Sequence, residues 1–247
     1  MTLYAPLLKI LALAVTGIGH YYATTPPRPA PEPDEKAAAA AAEDGAARWF
    51  ERAIPWIRGW TATLVGVWIV CEIVLTALLI FPSTSIPSSR VYHVLCPHPS
   101  SSSASHHQSI SVLFALGAGL AVLGAALRVW CYAVLGHRFT YEVALRREHT
   151  LVCSAPYNWV RHPSYTGFFM HLAGIALVLY APGGWNAECG QIGARAAARF
   201  WMTTTAYTSW SVWRRGEAED ALLRARFGEA WEAYRRDVPW RFFPGLV

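Results

Sequence analysis

Charge is scarce in this sequence: 15% of its 247 residues are Asp, Glu, Lys or Arg, where soluble chains carry about 25%. With 54% hydrophobic positions, that scarcity excludes an ordinary soluble domain. The five cysteines (Cys71, Cys96, Cys131, Cys153 and Cys189) form no CxxC pair and no framework spacing, so neither a zinc site nor a disulfide scaffold is indicated. No G-x-G-x-x-G follows a strand-like run, which argues against a Rossmann-type cofactor domain. No stretch interleaves basic and aromatic residues in the manner of a nucleic-acid-binding surface, and no internal repeat is visible.

What the sequence does contain is a series of apolar runs. Leu3 to Tyr22 is mostly apolar and has the length of one membrane crossing. It is long for a signal-peptide core, and no A-x-A cleavage site follows. A Pro-rich and then Ala-rich stretch comes next and reads as a flexible linker over 23–55. Trp56 to Phe81 is the second span, stopped by Pro82. It contains Glu72, and a carboxylate inside a membrane is a functional candidate by default, although a hydrogen bond to a neighbouring helix is the plainer role. Ser83 to Ser109 reads as a Ser-, Pro- and His-rich loop whose His106-His107 pair lacks helical ligand spacing. The third span, Ile110 to Leu135, carries Gly117, Gly119 and Gly124, which permit close helix contact.

Phe168 to Tyr180 is a fourth apolar helix, and Ala194 to Trp213 a weaker fifth with Arg195 and Arg199 near its start. Arg214 to Asp237 follows as a charged amphipathic helix, with Leu222, Leu223, Phe227, Trp231 and Tyr234 at helical spacing. The fold class expected is therefore all-α and integral to the membrane. About five transmembrane helices precede a C-terminal amphipathic helix, with a first helix over 1–22 and a core over 56–247. Five crossings would place the linker, the polar block before the fourth span and the C-terminal tail on one side. Those segments, with Arg58 at the mouth of the second span, hold sixteen Lys and Arg, against three (Arg90, Arg195 and Arg199) for the other side. That bias puts the polar block and the tail in the cytosol, with the N-terminus lumenal. Cys96 and Cys189 would then share the lumenal side, where they could pair, though nothing in their spacing demands it.

Two cytosolic segments carry chemistry. The first, GHRFTYEVALRREHTLVCSAPYNWVRHPSYTG from Gly136 to Gly167, is wedged between apolar runs and supplies Glu142, His149, Tyr157, Arg161, His162 and Tyr165. The second supplies Arg214, Arg215, Glu217, Glu219 and Asp220. Carboxylates suit ribose hydroxyls and an amino group, and arginines suit a carboxylate. The set fits a zwitterionic cofactor beside an acidic substrate. The plainer reading has these groups capping helices and meeting lipid headgroups, as Arg146-Arg147 would do.

HTLVCSAPYNWVRHPSYTG closely resembles the signature of the isoprenylcysteine carboxyl methyltransferase family, and more loosely that of membrane phospholipid methyltransferases. The tail, EAEDALLRARFGEAWEAYRRDVPWRFFPG, is similar to the same family's acidic pair, Phe-Gly, spaced aromatics and closing Val-Pro. The resemblance covers roughly residues 110 to 245. It implies an endoplasmic-reticulum membrane enzyme that uses S-adenosylmethionine without a Rossmann domain. Its products would be methyl esters of the C-terminal prenylated cysteine of CaaX-processed proteins. The cofactor pocket implied draws on Glu142, His149, Thr150, Leu151, Val152, Tyr157, Arg161, His162, Pro163, Ser164, Tyr165, Glu217 and Glu219. Arg214, with Arg215 close behind, is the implied partner of the substrate carboxylate. Two departures stand out: Ala155 replaces the usual glycine before Pro-Tyr, and Trp213 sits where the substrate arginine would align. A phospholipid or other small-molecule N-methyltransferase on the same scaffold, or a non-catalytic membrane protein, is the alternative.

Overall fold

A computed structural model describes residues 3–25, 45–81, 86–99, 107–136, 150–189 and 192–246. Among the described residues the chain is helical, with no strand. In chain order the helices are α1 (Tyr4–Thr24), α2 (Gly45–Ile80), α3 (Ile86–Leu95), α4 (Val112–Leu135), α5 (Pro163–Leu179), α6 (Trp185–Glu188), α7 (Ile192–Phe227) and α8 (Glu229–Asp237). Tyr4–Thr24, Arg52–Ile80 and Val112–Leu135 are long and apolar enough to cross a membrane, and Pro163–Leu179 is apolar but shorter.

The burial pattern is that of a helical membrane protein. On α1, Lys9, Leu13, Thr16 and His20 recur at helical spacing and are buried, while Leu7, Leu8, Leu11, Val15 and Ile18 are exposed. A helix in water would turn these faces the other way. In lipid, polar side chains are driven inward because hydrocarbon cannot satisfy their hydrogen bonds.

Four elements differ locally from the sequence-based expectation. α2 begins at Gly45, inside the stretch read as linker, where Ala46, Ala47 and the residues after them favour helix. The Ser-rich loop contains helix α3; Pro87 is its second residue, where a missing N–H costs nothing. α5 starts at Pro163 instead of Phe168, because proline presets the first helical turn. The fifth apolar run and the first half of the charged tail form one 36-residue helix, α7, which ends only where Gly228 takes φ 51°.

The chain divides into two compact units. The first comprises Met1–Tyr21, Gly59–Leu123 and Met170–Thr205. Within it, α4 and α5 approach so closely that a Cβ on Gly174 would overlap the backbone of Gly117 and Ala121, and one on Gly117 would lie 2.8 Å from Leu177 Cβ. Gly119, also expected at a close contact, has open space instead: a Cβ there would meet nothing within 4 Å. A buried polar cluster accompanies this packing. Lys9 Nζ pairs with Glu72 Oε1 at 2.6 Å and donates to the carbonyls of His107 (3.0 Å) and Gly183 (2.9 Å). Glu72 also accepts from the Trp185 amide at 2.6 Å, so its role is the neighbour-helix hydrogen bond plus an ion pair. His20 and His171 meet at 2.9 Å, and His171 Nδ1 donates to the Ala121 carbonyl at 2.8 Å.

Cys96 and Cys189 form a disulfide across 93 residues, the pair that a shared side of the membrane allowed although their spacing did not indicate it. His107 lies 3.4 Å from Cys189 Sγ, so a cysteine pair and a histidine converge in this unit, with both sulfurs committed to the S–S bond. His106 lies outside the described residues.

The second unit comprises Tyr22–Arg58, Gly124–Phe169 and Ala206–Val247. A Cβ on Gly167 would lie 2.6 Å from the Gly124 carbonyl and 3.0 Å from Arg128 Cγ. The glycine that closes RHPSYTG therefore lets the first turns of α5 touch α4 in this unit. Arg128, buried on α4, donates to the Ala23 carbonyl (2.7 Å), Tyr132 Oη (2.9 Å) and the Ser164 carbonyl (3.1 Å). It thereby ties the ends of α1, α4 and α5 together.

Candidate active site

The second unit brings the two chemistry-bearing segments into direct contact. The tail after α8 runs back along the RHP turn: the Arg161 amide donates to the Trp240 carbonyl and the His162 amide to the Arg241 carbonyl, each at 2.9 Å. Thr166 Oγ1 adds a 2.5 Å bond to the Phe242 carbonyl. Phe242 is fully buried against Trp213, Phe169 and His162. A Cβ on Gly216 would strike its ring at 2.6 Å, so this glycine admits the tail. α8 closes the same end with Trp231, Tyr234 and Val238 packed against Leu151, Leu223 and Phe227. Tyr234 Oη donates to the Tyr157 carbonyl at 2.7 Å.

On that frame sits a network of charges. Asp220 is its hub: Oδ1 accepts from His162 Nε2 at 2.8 Å, and Oδ2 accepts from Arg161 Nη2 and Arg241 Nε, both at 3.2 Å. Glu219 neighbours it on α7. Its Oε1 accepts from Tyr165 Oη at 2.5 Å and Arg215 Nε at 3.0 Å, and its Oε2 lies 3.4 Å from His162 Nδ1. His162 therefore lies between two carboxylates, one at each ring nitrogen, an arrangement that favours the imidazolium form.

The electrostatics agree with that geometry. Burial pushes the His162 pKa down, but hydrogen bonds to Asp220 and Glu219 and their charges carry it above its ordinary value. Burial pushes the Glu219 carboxyl up, yet the His162 hydrogen bond and the Arg215 charge outweigh it and hold the group at about 2. Asp220 is likewise held low: burial raises it, and His162 and Arg161 lower it by more. Both carboxylates are ionised at neutral pH. Glu219 remains a quarter exposed, so it can accept further donors such as ribose hydroxyls or an ammonium group.

Most of the expected site residues gather here. Tyr157, Arg161, His162, Pro163, Ser164, Tyr165, Arg215 and Glu219 belong to this unit, with Asp220 at their centre. Arg161 Nη1 donates to the carbonyls of Val238 (3.0 Å) and Pro239 (2.6 Å), so much of its donor capacity clamps the tail. Glu217 is exposed and joins the network through Arg241 at 3.1 Å. Arg214 is exposed on α7, one position before buried Arg215. Leu151 packs on the α8 core, Val152 is half-buried and Thr150 is exposed. Glu142 and His149 lie outside the described residues. Buried Ser164 Oγ has no hydrogen-bond partner among the described residues, which marks a polar position that a small ligand could complete. Sequence reasoning missed Arg241 and Arg128; a lone arginine in an aromatic tail and another in an apolar run offer no local pattern.

The fold and the site define a helical membrane protein whose paired acidic residues on one helix meet a histidine-proline turn at the start of another. Residues 117–183 match the sequence profile of the isoprenylcysteine carboxyl methyltransferase (ICMT) family. The chain is similar to protein-S-isoprenylcysteine O-methyltransferase of Mus musculus, at 32% identity over 134 residues, covering 53% of this chain and 42% of that protein. It is similar to the protein of the same name from Homo sapiens, at 32% identity over 135 residues, covering 53% and 42%. That from Saccharomyces cerevisiae is 41% identical over 69 residues, covering 27% of this chain and 29% of the yeast protein. The matched region thus spans less than half the length of these curated relatives. No solved structure matches the chain.

Proposed function

We propose that this protein transfers a methyl group from S-adenosylmethionine to the α-carboxylate of a C-terminal prenylated cysteine. The observation that carries this reading is the meeting of the RHPSYTG turn with the Glu219-Asp220 pair through His162, within a chain similar to proteins named for that activity. S-adenosylmethionine would supply an electrophilic methyl group on a sulfonium. Glu219, ionised and partly exposed, would accept from its amino group or ribose hydroxyls. Ser164 Oγ and Tyr165 Oη would offer further polar contacts beside it, and Glu142 and His149 would complete the pocket.

The acceptor carboxylate is already ionised at neutral pH, so the protein needs no general base for it. Water weakens such a nucleophile by solvating it. The protein's work is to orient the carboxylate and strip part of that shell. Arg214 would hold one carboxylate oxygen by a charge-assisted contact, leaving the other oxygen's lone pair for the methyl carbon. The prenyl chain would reach the site from the bilayer between helices, so selectivity would rest on shape and on the carboxylate, since a chain already in lipid gains little by transfer.

The same reading places the protein in the endoplasmic-reticulum membrane with this unit facing the cytosol. Sixteen basic residues on one side favour that orientation, and a Cys96–Cys189 disulfide suits an oxidising lumen. The test supplies labelled S-adenosylmethionine to purified membranes with N-acetyl farnesylcysteine and, separately, with phosphatidylethanolamine. Base-labile label on the first supports ester formation. Base-stable label on the second would move the assignment to an amine methyltransferase.

A further inference from the structure

Beside the charge network, on its α8 side, the second unit contains a cavity of about 190 Å³. Its walls include Arg161, Arg224, Arg235 and Arg241, with Asp220 the one carboxylate among them and Trp231 behind. Asp220 is the counter-charge to two of them, Arg161 and Arg241, through Oδ2, while its Oδ1 is taken by His162. Arg224 is paired with Glu232 at 2.6 Å and Arg241 with Glu217 at 3.1 Å. Arg235 has no carboxylate partner among the described residues and lies over the Trp231 ring at 5.5 Å.

Two buried donors add a second, independent sign. Arg161 Nε and Trp231 Nε1 are both buried and have no hydrogen-bond acceptor among the described residues. Their residues are 8% and 3% exposed. Buried N–H groups almost always find an acceptor. A metal ion would be repelled by four guanidinium groups. A single neutral acceptor would leave the charge of Arg235 unmatched. A ligand with several acceptor oxygens and a negative charge answers both conditions, and arginine forks match its geometry.

We propose that this cavity binds a phosphate group, carried either by a free phosphate or phosphate ester or by the headgroup of an anionic phospholipid. The proposal goes beyond methyl transfer and stands whether or not that reading holds, because its readout is binding. The test uses the full-length protein in detergent and follows thermal unfolding. Potassium phosphate is compared with potassium chloride at matched ionic strength, and short-chain phosphatidic acid with phosphatidylcholine of the same chains. Phosphate or phosphatidic acid should raise the melting temperature where chloride and phosphatidylcholine do not. A response to phosphate identifies a free phosphate site; a response to phosphatidic acid alone identifies a headgroup site. Replacing two exposed wall residues, Arg224→Gln with Arg235→Gln, should weaken the apparent affinity by about tenfold or more. Trp231→Phe, which keeps the ring and removes the N–H, should weaken it by less. No stabilisation beyond the chloride and phosphatidylcholine controls, or an unchanged affinity in the double variant, overturns the proposal.

Discussion

Lys9 Nζ lies 2.6 Å from Glu72 Oε1, and both side chains are almost completely buried among apolar helices. Removing one partner of such a pair strands the other charge where neither water nor lipid can solvate it, at a cost of about 3–5 kcal/mol. Lys9→Met should therefore lower stability by about that amount, read as thermal or denaturant unfolding in detergent. Adding Glu72→Gln should recover much of the loss, because a neutral amide oxygen can still accept from the Trp185 amide. A single variant as stable as the parent would show that the pair contributes nothing.

The contact of α4 with α5 makes a sharper claim about single methyl groups. Gly174→Ala places a carbon into the backbone of Gly117 and Ala121, which cannot move aside as a flexible side chain would. It should cost at least about 1–3 kcal/mol through overpacking. Gly119→Ala, on the same helix as Gly117 but with open space at its Cβ, should be neutral or gain up to about 1 kcal/mol of helix propensity. Parallel unfolding curves decide this; equal effects at both positions would mean that the helices do not approach as described.

The residues in these two contacts differ in how far the sequence alone reveals them. Glu72 stands out in its run as an intramembrane carboxylate, whereas Lys9 sits near a helix start, where a basic residue passes for an interfacial flank. Gly117, Gly119 and Gly124 are alike in sequence, and only the neighbouring helix tells which of them is crowded. The union of RHPSYTG with Glu219-Asp220 is legible because complementary charges in two segments beside membrane spans have few other ways to be satisfied. Arg241 is not, since its place depends on main-chain bonds from Arg161 and His162 to a tail with no regular pattern. The Cys96–Cys189 bond spans 93 residues, far beyond what local spacing can report.

The histidine between two carboxylates gives the second unit a defined pH profile. His162 has a folded pKa above its ordinary 6.5, so its stabilising effect is fully present below pH 6.5 and is lost as pH rises through the elevated value. Glu219 and Asp220 have folded values below their ordinary 4.5 and 3.8. Their stabilisation is present above those ordinary values and disappears as pH falls, for Glu219 through about 2. Thermal stability measured against pH should thus be greatest between about 4.5 and 6.5 and decline on both sides. His162→Gln should flatten the alkaline decline. An alkaline limb that is identical in the variant would assign the titration to another group.

If the protein transfers a methyl group as proposed, two neighbouring arginines on α7 separate the roles. Arg215 is buried and donates to Glu219 at 3.0 Å, so under the proposed reaction it would act on the donor side by holding that carboxylate ionised and in place. Arg214, one residue earlier, is exposed and suited to meet an incoming acceptor. Arg215→Ala should weaken S-adenosylmethionine binding by about tenfold or more, since a charge-assisted hydrogen bond is lost at a partly buried carboxylate. Arg214→Ala should instead raise KM for N-acetyl farnesylcysteine by a similar factor while leaving donor binding within about twofold. Calorimetry with the donor and initial rates at varied acceptor distinguish the two. If both substitutions impair donor and acceptor equally, the arginines act as one positively charged patch and the acceptor carboxylate must be held from another side of the site.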